Sequence, residues 1–217
     1  MKKFYGLKND YVCVDNSSYG GSQTYFRNID GLFCKGKDKG GCGIVAMGDT
    51  MAYLSKDTRF ANIDSYCRYF NKIVRKSLWI PSRIGMSFLH IHFASKHMLK
   101  SFSLPYTCRW CFSKKKLYSR VKNMLVDNIP VILCIPKNFS RSKSKEMLNL
   151  YGSDSRPATR THGHFVVITG ICELNQKLFW EISSWGKKYY ISIEEYINYS
   201  KHHIAGLLGN ILLISKL

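Results

Sequence analysis

The hydrophobic periodicity of this chain changes once, near Pro130, and that change limits the possible fold more than any other feature. Before it, apolar residues recur at intervals of three and four. Ile44, Met47, Met51 and Leu54 mark a helix from Gly41 to roughly Ser55. Phe60, Ile63, Cys67, Phe70 and Val74 mark a second, ending before Pro81. A third falls around Ile84 to Leu99, where β-branched and aromatic residues are mixed in. Leu117, Val121 and Leu125 mark a fourth, closed by Asn128 and Pro130. After the change the apolar residues come in short runs. Val131 to Ile135, bounded by two prolines, reads as a buried strand. His164 to Cys172, Lys177 to Ser184 and Lys187 to Ser192 read as three more, joined by turns at Leu174-Asn175-Gln176 and Trp185-Gly186. Lys137 to Thr161 is polar and reads as a long surface loop. Ser192-Ile193-Glu194-Glu195 has capping-box spacing and starts a short helix to about Ser200. Leu207 to Ser215 reads as a last strand.

Helices followed by strands predict the α+β class, as one domain over residues 1–217. Within it, 1–40 is a leading segment with loops, 41–128 a helical lobe and 129–217 an antiparallel β lobe. With 45% hydrophobic and 14% aromatic residues in 217, there is ample material for a core, so disorder is not the default.

Lys and Arg number 33 against 14 Asp and Glu, a net charge of +19 that attracts anions such as nucleic acid, anionic lipid or acidic polypeptides. The basic residues are spread along the chain, and the densest runs, Lys114 to Lys116 and Arg141 to Lys145, lie in polar stretches. They read as solvated surface. Of the eight cysteines only Cys108 and Cys111 have a close metal-type spacing, with no second pair, so neither a metal site nor a cofactor is expected. Cys67, Cys134 and Cys172 lie in apolar runs and read as small hydrophobes, a reduced, intracellular pattern. The residues after Met1-Lys2-Lys3 are too few and too polar for a signal-peptide core, and no run approaches the ~20 apolar residues that span a bilayer. The expectation is a soluble cytoplasmic protein with no membrane span.

Chemistry concentrates at Gly40-Gly41-Cys42-Gly43, which places a thiol at the start of the first long helix. The positive end of a helix stabilises a thiolate, and the flanking glycines leave room for a substrate. Thr161-His162-Gly163-His164 ends the polar loop, and the strand beginning Phe165-Val166-Val167 follows. An imidazole at that strand mouth can take the thiol proton and return it to a leaving amine. Ser183-Ser184-Trp185-Gly186 ends the next strand, where a polar side chain can fix the tautomer of the histidine and Trp185 can shield that bond. His162 is the rival base. Asp49, one helical face away from Cys42, reads as a polar helix position, and His90, His92 and His97 as packing or surface histidines.

The order Gly-Cys-Gly on a helix, His-Phe-Val-Val-Ile-Thr-Gly on a strand and Ser-Ser-Trp-Gly on the next resembles the papain-like cysteine peptidases. The compact layout is similar to the bacterial peptidases that remove double-glycine leaders from bacteriocins. The resemblance covers roughly residues 20–215, with His164 on the family's base and Gly170 on its strand glycine. It implies a papain-like fold, a peptide or protein substrate, Cys42 as nucleophile and His164 as base. It also implies an oxyanion-hole glutamine, for which Gln23 is the only upstream residue of that type. The chain departs at the third member, where Ser183 replaces the family's asparagine and Glu181 is the alternative orienter. Three function readings follow in order: a thiol hydrolase or acyl-transfer enzyme acting on peptide or amide bonds, a papain-like binding module that has lost catalysis, and a basic nucleic-acid-binding protein. The last lacks a binding motif, and its aromatics sit in core-like patterns.

Overall fold

The run His164–Leu174 is apolar at almost every position, and a strand of that kind must be covered on both faces. In the computed structural model, which describes residues 2–27, 40–76, 85–111, 116–136, 146–201 and 210–217, it is the central strand of the sheet. The strands in chain order are β1 (Lys2–Gly6), β2 (Cys13–Val14), β3 (Arg59–Phe60), β4 (Tyr106–Cys111), β5 (Val131–Ile135) and β6 (Leu148–Tyr151). They continue with β7 (Pro157–Thr161), β8 (His164–Leu174), β9 (Lys177–Ser184), β10 (Lys187–Ser192) and β11 (Ile211–Lys216). The helices are α1 (Cys42–Leu54), α2 (Ile63–Lys76), α3 (Phe88–Ser101), α4 (Leu117–Val126) and α5 (Ile193–Lys201), with a 3-10 turn over Gln23–Phe26.

Among the described residues nine strands form one antiparallel sheet in the order β4-β11-β5-β8-β9-β10-β6-β7. The ninth, β1, pairs with β8. The length of β8 lets it take two partners end to end on one edge: β5 covers His164 to Ile168 and β1 covers Gly170 to Glu173. The other edge pairs with β9, across a bulge between Ile168 and Gly170 that makes Thr169 an extra residue. Helix α1 packs on β8 and β5, buried along its whole length except at Cys42 itself. Helix α2 buries Tyr66, Cys67, Phe70 and Ile73, and the first and third of these join Phe26 and Phe60 in an aromatic cluster beneath α1.

The α+β expectation holds. The helices fall where the periodicity puts them, except that Phe60 belongs to β3 and α3 starts at Phe88 rather than near Ile84. Two expectations are corrected. The polar stretch before His164 is not a loop throughout: Leu148 pairs with Thr161 in a β6–β7 hairpin turning through Gly152 to Ser155, while 137–145 lie outside the described residues. Nor is the first half only helical, because β1 and β4 both enter the sheet. β1 brings a charged N-terminal segment against the centre, and its Lys3 pairs there with buried Glu181. No helix among the described residues is long and apolar enough to cross a membrane.

Candidate active site

Gly40, at φ +83°, and Gly41, the N-cap, turn the chain into α1 so that Cys42 is its first residue. The glycine after the cysteine does not leave the open space for a substrate that its place in the sequence suggests. A Cβ on Gly43 would sit 2.9 Å from both Met86 and Ile91, so that glycine serves close packing against α3. Cys42 lies beside the start of β8, where the backbone N–H groups of Phe165, Gly43 and Cys42 itself favour the thiolate. Burial works against them and prevails, so the thiol is pushed up rather than down. Cys134, opposite Phe165 on β5, is close enough to interact electrostatically with Cys42, and burial pushes its thiol to about 12. None of the seven described cysteines is in a disulfide; Cys34 lies outside the described residues.

His164 is buried at the mouth of β8, its ring stacked on Trp185 with centroids 4.6 Å apart and planes within 19°. Its Nε2 lies 2.8 Å from Ser184 Oγ. Burial holds the imidazole down at about 4, so the resting ring is neutral at pH 7. In the tautomer whose Nε2–H donates to Ser184, Nδ1 is the nitrogen left to act as a base. Removing the indole in Trp185→Ala should hydrate the ring and move its titration from about 4 towards 6.5, read as the histidine C–H chemical shift against pH. A value still near 4 would show that Trp185 is not what desolvates it.

The orienting contact expected of Ser183 or Glu181 is made by neither. Ser183 is registered opposite Val167, so its side chain leaves the sheet on the opposite side from His164, while Ser184 leaves on the same side. The Ser183 hydroxyl donates to the Tyr19 carbonyl at 2.8 Å. Glu181 accepts from Tyr19, Thr169 and Lys3 and pairs with Lys188. Burial pushes its carboxyl up, but Lys3 and Lys188 more than offset this and leave it below the usual range.

Gln23 starts the 3-10 turn, and it lines the same cavity as Cys42, Asp49, His164, Ser184 and Trp185. The cavity measures ≈ 10 Å³, room for about one water. The segment that delivers Gln23 is pinned on both sides. Gly186 N–H donates to the Gly21 carbonyl, Tyr19 N–H to that of Gly186 and Gly20 N–H to that of Val12. From beneath, Asp49 accepts from Gly21 N–H at 2.9 Å and from the Tyr66 hydroxyl at 2.8 Å. Gly20, at φ +77°, has Ser183 and Asp49 where a Cβ would be, and Gly21 has the Tyr66 phenol there. Asp49 is 1% exposed, and burial raises its carboxyl to about 7 despite those two bonds.

The structure therefore brings Cys42, His164, Gln23 and Ser183 to one cavity, but Ser184 rather than Ser183 is in contact with His164. His162 is half-buried on the turn before β8 and does not line the cavity, and His90 caps α3 with Ser87. His202 and His203 lie outside the described residues. Among the described residues no three His, Cys, Asp or Glu side chains gather as a metal site would require. No protein-family model matches the chain, and no curated protein matches it.

Proposed function

We propose that the chain is a papain-like cysteine peptidase or a related thiol acyl hydrolase that cleaves peptide or amide bonds. The observation that carries this reading is the convergence of Cys42, His164 and Gln23, from three separate elements, on one small cavity, with the His164 ring held by Ser184 and Trp185. A thiol pushed up by desolvation and a buried imidazole pushed down rest as a neutral pair. Such a pair works by general-base catalysis. His164 Nδ1 takes the Cys42 proton as sulfur attacks the carbonyl carbon, and the negative charge passes to the carbonyl oxygen. The Gln23 amide and the Cys42 N–H stabilise that oxygen. The imidazolium then protonates the leaving amine as the C–N bond breaks, giving a thioester. Water, deprotonated by His164, releases the acid and restores the thiol.

Alkylation with iodoacetamide, mapped by mass spectrometry, tests the assignment. Cys42 should react faster than the other seven cysteines, and His164→Ala should remove that advantage. Equal labelling of all eight, or labelling unchanged in His164→Ala, would sink it. The alternative, a papain-like binding module without turnover, is favoured by the size of the cavity, which admits about one water. It would show Cys42 alkylated by iodoacetamide but no turnover of an ester or amide substrate.

A further inference from the structure

Asp49 stands two helical turns below Cys42 on α1, and its surroundings are unusual for a carboxylate. Among the described residues its hydrogen-bond partners are the Gly21 N–H and the Tyr66 phenol, with Tyr11 near enough to interact electrostatically, and no cation pairs with it. A carboxyl in such a place is costly, and a structure that keeps one uses its bonds. Both bonds bear on the segment that carries Gln23. One reaches Gly21, two residues before Gln23. The other fixes Tyr66, whose hydroxyl fills the space above Gly21 where a side chain would go. Gly21 passes the connection on: its carbonyl accepts from Gly186, the residue after the Trp185 that stacks on His164. One carboxyl thus ties the helix of the candidate nucleophile to the segment carrying the candidate oxyanion group and to the turn roofing the candidate base.

We propose that Asp49 is a positioning residue for the acyl-transfer site: its bond to Gly21 N–H sets the Gly20-to-Gln23 segment so that the Gln23 amide stands over Cys42. The proposal rests on the thiol-hydrolase reading and adds the part that holds its two jaws in register. It separates two kinds of reactivity. Alkylation of Cys42 needs only the thiol and its base, whereas acylation also needs the oxyanion donors. Asp49 acts on the second. An asparagine supplies the same two bonds, its Oδ1 accepting from Gly21 and its Nδ2 donating to the Tyr66 oxygen; an alanine supplies neither.

The experiment uses the full chain with 4-nitrophenyl acetate for acylation, iodoacetamide for alkylation and hydrogen exchange at the Gly21 amide. Asp49→Ala is expected to lower Cys42 acylation by about 10²-fold, as Gln23→Ala should, and the double variant should lose little more. Alkylation in Asp49→Ala should stay within about 3-fold of wild type. Gly21 exchange should speed up in Asp49→Ala, and Asp49→Asn should restore both acylation and protection. Asp49→Val, which fills the space without an acceptor, replaces Asp49→Ala if the latter does not fold. Asp49→Asn losing as much acylation as Asp49→Ala would overturn the proposal, because the charge and not the bond would then matter. Unimpaired acylation in Asp49→Ala despite an exposed Gly21 amide would also overturn it. Wild-type protein with no Cys42-dependent acylation would defeat the thiol-hydrolase reading, and the proposal with it.

Discussion

His164→Ala is expected to lower turnover at Cys42 by on the order of 10²–10⁴-fold, the range a positioned general base supplies. The direction follows from the two burial effects. In an ion-pair site a thiolate is already formed, and the histidine mainly holds it. Here burial keeps the Cys42 thiol protonated at neutral pH and keeps His164 unprotonated down to about 4. Proton transfer therefore falls within the chemical step, and removing the imidazole removes its acceptor. The sign of the pH profile follows too. The imidazole is competent above about 4, so the acid limb of kcat/KM should lie well below the ordinary histidine value of 6.5. Wild-type alkylation should climb on the alkaline side as the raised thiol ionises. Fast, pH-independent alkylation between pH 5 and 8 would indicate a preformed thiolate and overturn the neutral pair.

The residue that holds His164 illustrates what the sequence makes legible. The three short motifs place Cys42 at a helix start and His164 at a strand mouth, because each is signalled by its neighbours: glycines before the helix, an apolar run after the histidine. Choosing between Ser183 and Ser184 takes a register, and register is not local. The turn at Asn175-Gln176 sets Leu174 opposite Lys177, and uninterrupted pairing from there would put Ser183 opposite Ile168, on the His164 side. The bulge at Thr169 adds one residue to β8, moves Ser183 opposite Val167 and hands the His164 side to Ser184. Only Thr169 before Gly170 hints at that bulge in the sequence. Asp49 was hidden for a related reason. As a polar position on an apolar helix it carries no local sign of its partner, which is Gly21, arriving from 28 residues away. The β6–β7 hairpin and β4 escaped because edge strands bury one face or less and carry polar residues on the other.

Asp49→Asn is expected to stabilise the fold, and to do so only where the carboxyl would be ionised in the unfolded chain. The unfolded carboxyl titrates near 3.8, whereas in the folded protein burial holds it protonated up to about 7. Between those values the native state binds more protons than the unfolded one, so this residue's contribution to stability falls as pH rises through the interval. Below 3.8 both states are protonated and nothing is lost. Above about 7 both are ionised, and the full cost of a buried carboxylate, on the order of 4 kcal/mol, is present. The amide keeps both hydrogen bonds without that cost. Urea unfolding should therefore give a gap between Asp49→Asn and wild type that is small at pH 4, widens to pH 7 and then levels. His164 runs the other way, since its depressed value means stability is lost as pH falls from 6.5 towards 4. Both proteins share that loss, so it cancels in the difference. A gap independent of pH, or an asparagine variant less stable at pH 8, would show that Asp49 is not buried at its cost in the native state. A widening gap together with restored acylation in Asp49→Asn would mean that the chain tolerates a destabilising group whose hydrogen bonds, not its charge, serve the site.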